Sequence, residues 1–166
     1  MVLMSRRSEA EASEIADAQA SAAAWATQLL GLAGEAFGLG VAQVQAAVGE
    51  GESLRPTVLL RGLDGAPLLA VDVFGVDPPA ALRAERRRLF AEAGVVEYWQ
   101  IAQKPQRARF FQRSAQGRFD EIPHDRAGVH YTMLAEEFAF PAEWVHEWPG
   151  LFFMLHTWGL VDGEEE

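Results

Sequence analysis

The chain is 166 residues long, 49% hydrophobic, and carries a formal net charge of −10. That length and apolar content suit one domain with a single core, and the acidic balance opposes long-range attraction to nucleic-acid phosphates or anionic lipid. With no cysteine, the chain has neither a disulfide framework nor a thiolate zinc site.

The opening MVLMSRRSEAEASE turns acidic at once and lacks the apolar stretch of a secretory signal. From residue 9 to about residue 37 the sequence is Ala-rich and free of proline, and Trp25, Leu29, Leu32 and Ala36 recur at helical spacing. An amphipathic helix is expected there. Gly31, Gly34, Gly38 and Gly40 do not make a phosphate loop, because no strand precedes them and no Lys-Ser or Lys-Thr follows.

Three stretches suited to strands come next, VAQVQAAV, RPTVLLRG and APLLAVDVFG, separated by the turn signals GEGES and GLDGAP. The third holds an acid, Asp72, in its middle. A buried, unpaired carboxylate is costly or neutralises itself, so Asp72 needs water, a hydrogen-bonding partner or a cation. Pro78 and Pro79 close this strand, and AALRAERRRLFAEAG then reads as a helix with Leu82, Leu89 and Phe90 facing a core and Gly94 as its stop.

VVEYWQIA, RARFFQR, GRFDEIP and GVHYTM form a run of strand-like segments with short polar connections, the pattern of an antiparallel meander. From Phe138 the chain is rich in aromatics, with Trp144, Trp148, Phe152, Phe153 and Trp158, and it ends in the acidic DGEEE. The most apolar late stretch, LFFMLHTWGL, is about ten residues and contains His156, whereas crossing a bilayer takes roughly twenty apolar residues. The expectation is a soluble, cytoplasmic protein with no membrane partner. It is one domain over residues 1–166, comprising a helical region at 8–40, a core at 41–140 and an aromatic tail at 141–166. Its class is α/β, a mixed sheet flanked by helices.

Several residue groups are candidates for chemistry. Asp72 is either a metal ligand or a strand residue that alternates outward or is satisfied by a neighbouring arginine. Arg83, Arg86, Arg87 and Arg88, with Arg107, Arg109 and Arg113, could track a nucleic-acid backbone, Arg83 and Arg87 foremost. The plainer reading pairs the helix arginines with Glu85 and Glu92 at spacings of three or four. His124, His130, His146 and His156 lack the close pairing of zinc hydrolases and suit loops or interfaces. Ser53 and Ser114 lie outside any nucleophile-elbow turn. Trp144, Trp148 and Trp158 suit a core or a subunit contact better than a base-stacking platform.

The succession RPTVLL, LLAVDVFGVD, ERRRLFAEAGVVEYWQIA resembles the Uma family of restriction-endonuclease-like proteins, within the PD-(D/E)xK nuclease superfamily. The closest correspondence is RRRLFAEAGVVEYWQI: in that family a helix follows the catalytic strand, then an aromatic, a Gly-Val turn and a Glu-Tyr-Trp strand, here Phe90, Gly94, Val95, Glu97, Tyr98 and Trp99. RARFFQRSAQGRFDEIP is similar to the family's next hairpin. The likeness covers residues 54–140, a little over half the chain.

The resemblance implies a restriction-endonuclease-like α/β fold and a scheme in which an Asp after Pro, and an acid on the next strand, converge on Mg²⁺ or Mn²⁺, which takes carboxylate oxygens in octahedral geometry. The ion generates hydroxide and neutralises charge on the phosphate, while a Lys positions the water. Carried over residue by residue, the Pro-Asp pair falls on Pro56-Thr57, the second acid on Asp72, and the Lys, displaced onto the helix, on Arg86. Ala102 stands where an acid often follows the Glu-Tyr-Trp strand. Asp72 and Arg86 are thus the implied catalytic positions, Asp72 the metal ligand and Thr57 the degenerate one. Thr57 brings no negative charge, and Arg86 cannot act as a base.

The expectation is therefore a protein of nuclease lineage with an eroded metal site and little or no phosphodiester cleavage. One alternative is an active Mg²⁺- or Mn²⁺-dependent DNA endonuclease in which a migrated acid, from among Glu52, Asp64, Asp77 and Glu85, joins Asp72. Another is a non-enzymatic interaction module that dimerises through the aromatic tail and ignores DNA and metal.

Overall fold

In the computed structural model, which describes residues 2–49, 54–123 and 125–162 (side chains of residues 2–5 and 7 excepted), the chain forms an α/β structure built on a mixed six-stranded sheet with three helices. Glu52, Ser53, His124 and the last four residues lie outside the described residues. After helix α1 (Val2–Ala36), strands β1 (Gly40–Val44), β2 (Val58–Gly62) and β3 (Pro67–Val76) pair antiparallel. Helix α2 (Ala80–Glu92) carries the chain over, so that β4 (Glu97–Lys104) lies parallel to β3, with Asp72 opposite Gln100. Strands β5 (Gln106–Arg113) and β6 (Phe119–Glu121) continue the sheet antiparallel. The strands lie in the sheet in chain order.

The period-two alternation of β3 and β4 divides the core into two layers. Leu69, Val71 and Val73 of β3, with Trp99 and Ile101 of β4, face α1. Ala70 of β3 and Tyr98 of β4 pack instead with Leu59, Phe90 and Phe111 under α2. Helix α1 meets its layer through Ala22, Ala26, Leu29, Leu30 and Ala33, all nearly inaccessible. This stripe is rotated from the expected one: Leu29 is buried, but Trp25 is only half-buried. Small residues let the helix lie close, and a Cβ on Gly34 would come within 2.5 Å of the Gly40 carbonyl oxygen.

The expected first strand, VAQVQAAV, stops at Val44, because Gln45 turns to φ 50 and ends the extended run. The expected four-stranded meander also stops one strand early. After β6 comes Pro123, which has no N–H to extend the ladder. GVHYTM supplies β7 (Val129–Tyr131), which pairs with β8 (Ala139–Pro141) as a separate two-stranded sheet. A 3-10 turn (Ala142–Val145) and helix α3 (Leu151–Thr157) complete the tail. Phe138, Phe140, Trp144 and Trp158 from this tail are buried in the layer beneath α1, each contributing on the order of 2–3 kcal/mol of burial. The Trp158 indole donates to the Ala139 carbonyl at 2.9 Å. Three apolar residues of α3 do face outward: Leu151, Phe152 and Phe153 are 51–56% exposed.

Helix α2 departs most from its expected orientation. Leu82 is exposed rather than in the core, and the face turned to the sheet is Arg83, Arg86, Arg87 and Phe90, one helical stripe. Gly94, at φ 87, takes the left-handed turn that ends the helix, a conformation glycine adopts without strain. No helix among the described residues is long and apolar enough to cross a membrane.

Candidate functional site

Asp72 lies in the middle of β3, between Val71 and Val73, on the face covered by α2, and is 3% exposed. Alternation places it beside Ala70, so its carboxylate projects into the layer between sheet and helix, where an isolated charge is costly. Arg86, on the inner stripe of α2, meets it as a fork: Nη2 donates to Oδ1 at 2.8 Å and Nε to Oδ2 at 2.9 Å. Tyr98 of β4 donates its hydroxyl to Oδ2. The Gln100 amide in turn donates to the Tyr98 oxygen at 3.2 Å and to the Arg83 carbonyl at 3.0 Å. A carboxylate offers about four acceptor positions, and three of those on Asp72 are taken.

The partners respond electrostatically. Donating to Asp72 raises the Arg86 pKa further, fixing the guanidinium as a cation. Burial, followed by the negative charge of Asp72, pushes the Tyr98 phenol far up, so it stays a donor. Arg86 also packs its guanidinium 4.9 Å above the Phe90 ring and donates to the Arg55 carbonyl at 3.2 Å.

The structure brings Thr57 near this group in a different role. Its hydroxyl oxygen accepts the Val73 backbone N–H at 3.0 Å, which satisfies a donor of β3 where the ladder with β2 has ended. Ala102 is buried. The described acids expected as substitutes do not join Asp72. Asp64 caps the β2–β3 turn by accepting the Ala66 N–H at 2.9 Å, and Glu85 pairs with Arg88 on the outside of α2 at 2.7 Å. Asp77, just past β3, is gripped by Arg109 at 2.8 and 2.9 Å, and that bond holds its carboxyl below the ordinary range. Among the described residues no three His, Asp or Glu converge. As arranged, the donor set around Asp72 does not fit a divalent cation. The position facing the carboxylate is filled by a guanidinium, the Tyr98 hydroxyl donates its hydrogen bond to Oδ2, and the Thr57 hydroxyl oxygen is bonded to backbone.

Of the arginines expected along a nucleic acid, Arg83 donates to the Pro78 carbonyl at 2.8 Å and lies 3.6 Å from Asp77. Arg88 bridges Glu85 and Glu92. Arg87 lies 5.0 Å over the Phe111 ring. The plain reading of helix surface ion pairs therefore describes Arg88, while Arg83, Arg86 and Arg87 face the sheet.

A second buried polar group went unrecognised in the sequence. Glu97 and His130 are both essentially inaccessible, in the layer on the other side of the sheet. Glu97 Oε2 accepts the Trp99 indole N–H at 2.7 Å and lies 3.3 Å from His130 Nε2, while Oε1 accepts from Gln112 at 3.0 Å and from the Met133 N–H at 3.1 Å. The His130 ring stacks on Phe110 at 3.9 Å. His130 is thus a core residue, not a loop or interface one. The only sequence signal was an acid placed two residues from Trp99 on a strand buried along both faces.

No family model matches this chain, and no curated protein matches it with significant similarity.

Proposed function

We propose that this chain is a restriction-endonuclease-like protein of the Uma type in which a guanidinium has replaced the metal, leaving a binding or assembly module with little or no phosphodiester cleavage. The observation that carries this reading is the Asp72–Arg86 fork, closed by Tyr98. In support, the succession that first suggested the family, acid-bearing strand, helix, Glu-Tyr-Trp strand and hairpin, corresponds to β3, α2, β4 and β5–β6 in one sheet. The cation needed to balance Asp72 is supplied by the chain itself, at the helix position that aligns with the family's displaced lysine. A fixed monovalent guanidinium balances charge but cannot bind and ionise a water molecule as Mg²⁺ does.

The test is plasmid nicking in Mg²⁺ and in Mn²⁺ by the wild-type chain and by Asp72→Ala. The expected result is no divalent-dependent nicking above the Asp72→Ala background. Robust nicking that Asp72→Ala abolishes would establish the active endonuclease instead.

A second reading, assembly of two copies through the tail, is favoured by the outer face of α3, where Leu151, Phe152 and Phe153 are half exposed. Of the tryptophans first considered for that contact, Trp144 and Trp158 are buried in the core, and Trp148 is half-buried against it.

A further inference from the structure

Around α2 and the strands it covers, Arg83, Arg86, Arg88 and Arg109 each contact a carboxylate. Arg87, Arg113 and Arg118 have no side-chain ion pair or hydrogen bond among the described residues. The first and last of these line one cleft, and Arg113 lies beside it. The cleft, of about 440 Å³, lies between the end of α2 and the β5–β6 hairpin and is lined by Arg87 and Arg118 together with Arg88, Ala91, Glu92 and Phe119. Gly117 belongs to the same lining, and Arg113 lies against it: Nη2 is 3.4 Å from where a Cβ on Gly117 would stand, and Nη1 is 3.7 Å from the same point on Gly94. Glu92 at the rim is already paired with Arg88 at 2.8 Å. Two guanidiniums without a carboxylate partner, Arg87 and Arg118, therefore line one concavity, with that of Arg113 beside its Gly117 wall, in a chain whose net charge is −10.

Within this molecule one arginine fork suffices for one carboxylate, as Arg86 does for Asp72 and Arg109 for Asp77. Two forks lining the cleft, with a third beside it, present more donors than the about four acceptor positions of one carboxylate, and they suit a tetrahedral dianion with three terminal oxygens. Ala91 and Phe119 give the cleft an apolar wall for an attached organic group. A long polyanion suits the site less, because the overall acidity repels every phosphate beyond the cleft.

We propose that this cleft binds the phosphate group of a small phosphate monoester. The inference is independent of the nuclease-lineage reading, since it uses none of the residues that hold Asp72.

Calorimetric titration of the full chain with inorganic phosphate, phenyl phosphate, acetate and a short DNA duplex tests it. Saturable one-to-one binding of phenyl phosphate is expected, at least as tight as inorganic phosphate, with none for acetate. Arg87→Ala and Arg118→Ala should each weaken it about tenfold, the scale of one lost charge-assisted hydrogen bond, and Arg126→Ala, at an exposed position in the turn before β7 and outside the cleft lining, should leave it unchanged. Arg118 is exposed, so its variant stays informative if Arg87→Ala disturbs packing on Phe111. Absence of saturable phenyl phosphate binding, affinity unchanged in Arg118→Ala, or a DNA duplex bound more tightly than the monoester would each overturn the proposal.

Discussion

Replacing Arg86 by methionine leaves the Asp72 carboxylate buried against Tyr98 with no counter-charge. Removing one partner of a buried pair costs about 3–5 kcal/mol, whereas removing both can be close to neutral. Urea denaturation should therefore show Arg86→Met strongly destabilised and the double variant Asp72→Leu/Arg86→Met much less so; equal losses would mean that the two side chains are not coupled. At this scale the sequence was partly legible. An acid inside LLAVDVFG announces a need for a partner, and Arg86 could be singled out by its place in the helix, but its contact with Asp72 depends on which face α2 turns to the sheet. The pairing of Glu97 with His130 was not legible at all, since 33 residues separate them and only the return of the β7–β8 hairpin brings them together.

Among the elements, α2 shows why pattern alone misled. Leu82 and Leu89 suggested an apolar face, yet Asp72 and Asp77 on the sheet side recruit the arginine stripe, and Leu82 is left exposed. The strands β2 to β5 were readable from their alternation and turn residues. The tail was readable only in composition: its aromatics are buried because the β7–β8 hairpin and α3 fold back beneath α1, a long-range arrangement with no local signature. This separates two kinds of tail residue. Trp158→Ala should cost about 3–5 kcal/mol of stability, as loss of a large core aromatic does. Phe152→Asp should leave the fold intact and, on the two-copy reading, shift light scattering from dimer to monomer. A monomer in both the wild type and Phe152→Asp would end that reading.

For the whole molecule, the acidic balance and the buried titratable groups set the response to pH. Desolvation lowers the half-buried His146 below its ordinary value of 6.5, and the bond from Arg109 lowers Asp77 below 3.8. In both cases the unfolded chain binds protons more readily than the folded one. Stability from His146 is thus present above pH 6.5 and is lost as pH falls through its lower folded value; the Asp77 contribution is lost in the same sense at lower pH. Thermal unfolding followed from pH 8 downward should show a first decline beginning near 6.5 that His146→Gln flattens, and a curve unchanged by that substitution would contradict the assignment. The α/β class and a mixed sheet followed from the order of segments, whereas the separate β7–β8 pair and the neutralisation of Asp72 depended on contacts between segments.

Arg86 balances the Asp72 carboxylate, and on the proposed reading no divalent ion binds there. Titration of the chain with Mn²⁺, followed by electron paramagnetic resonance of the free ion, tests it most directly. Wild type and Asp72→Asn should give the same titration, with no bound ion that depends on Asp72. One Mn²⁺ per chain, held by the wild type and released by Asp72→Asn, would contradict it.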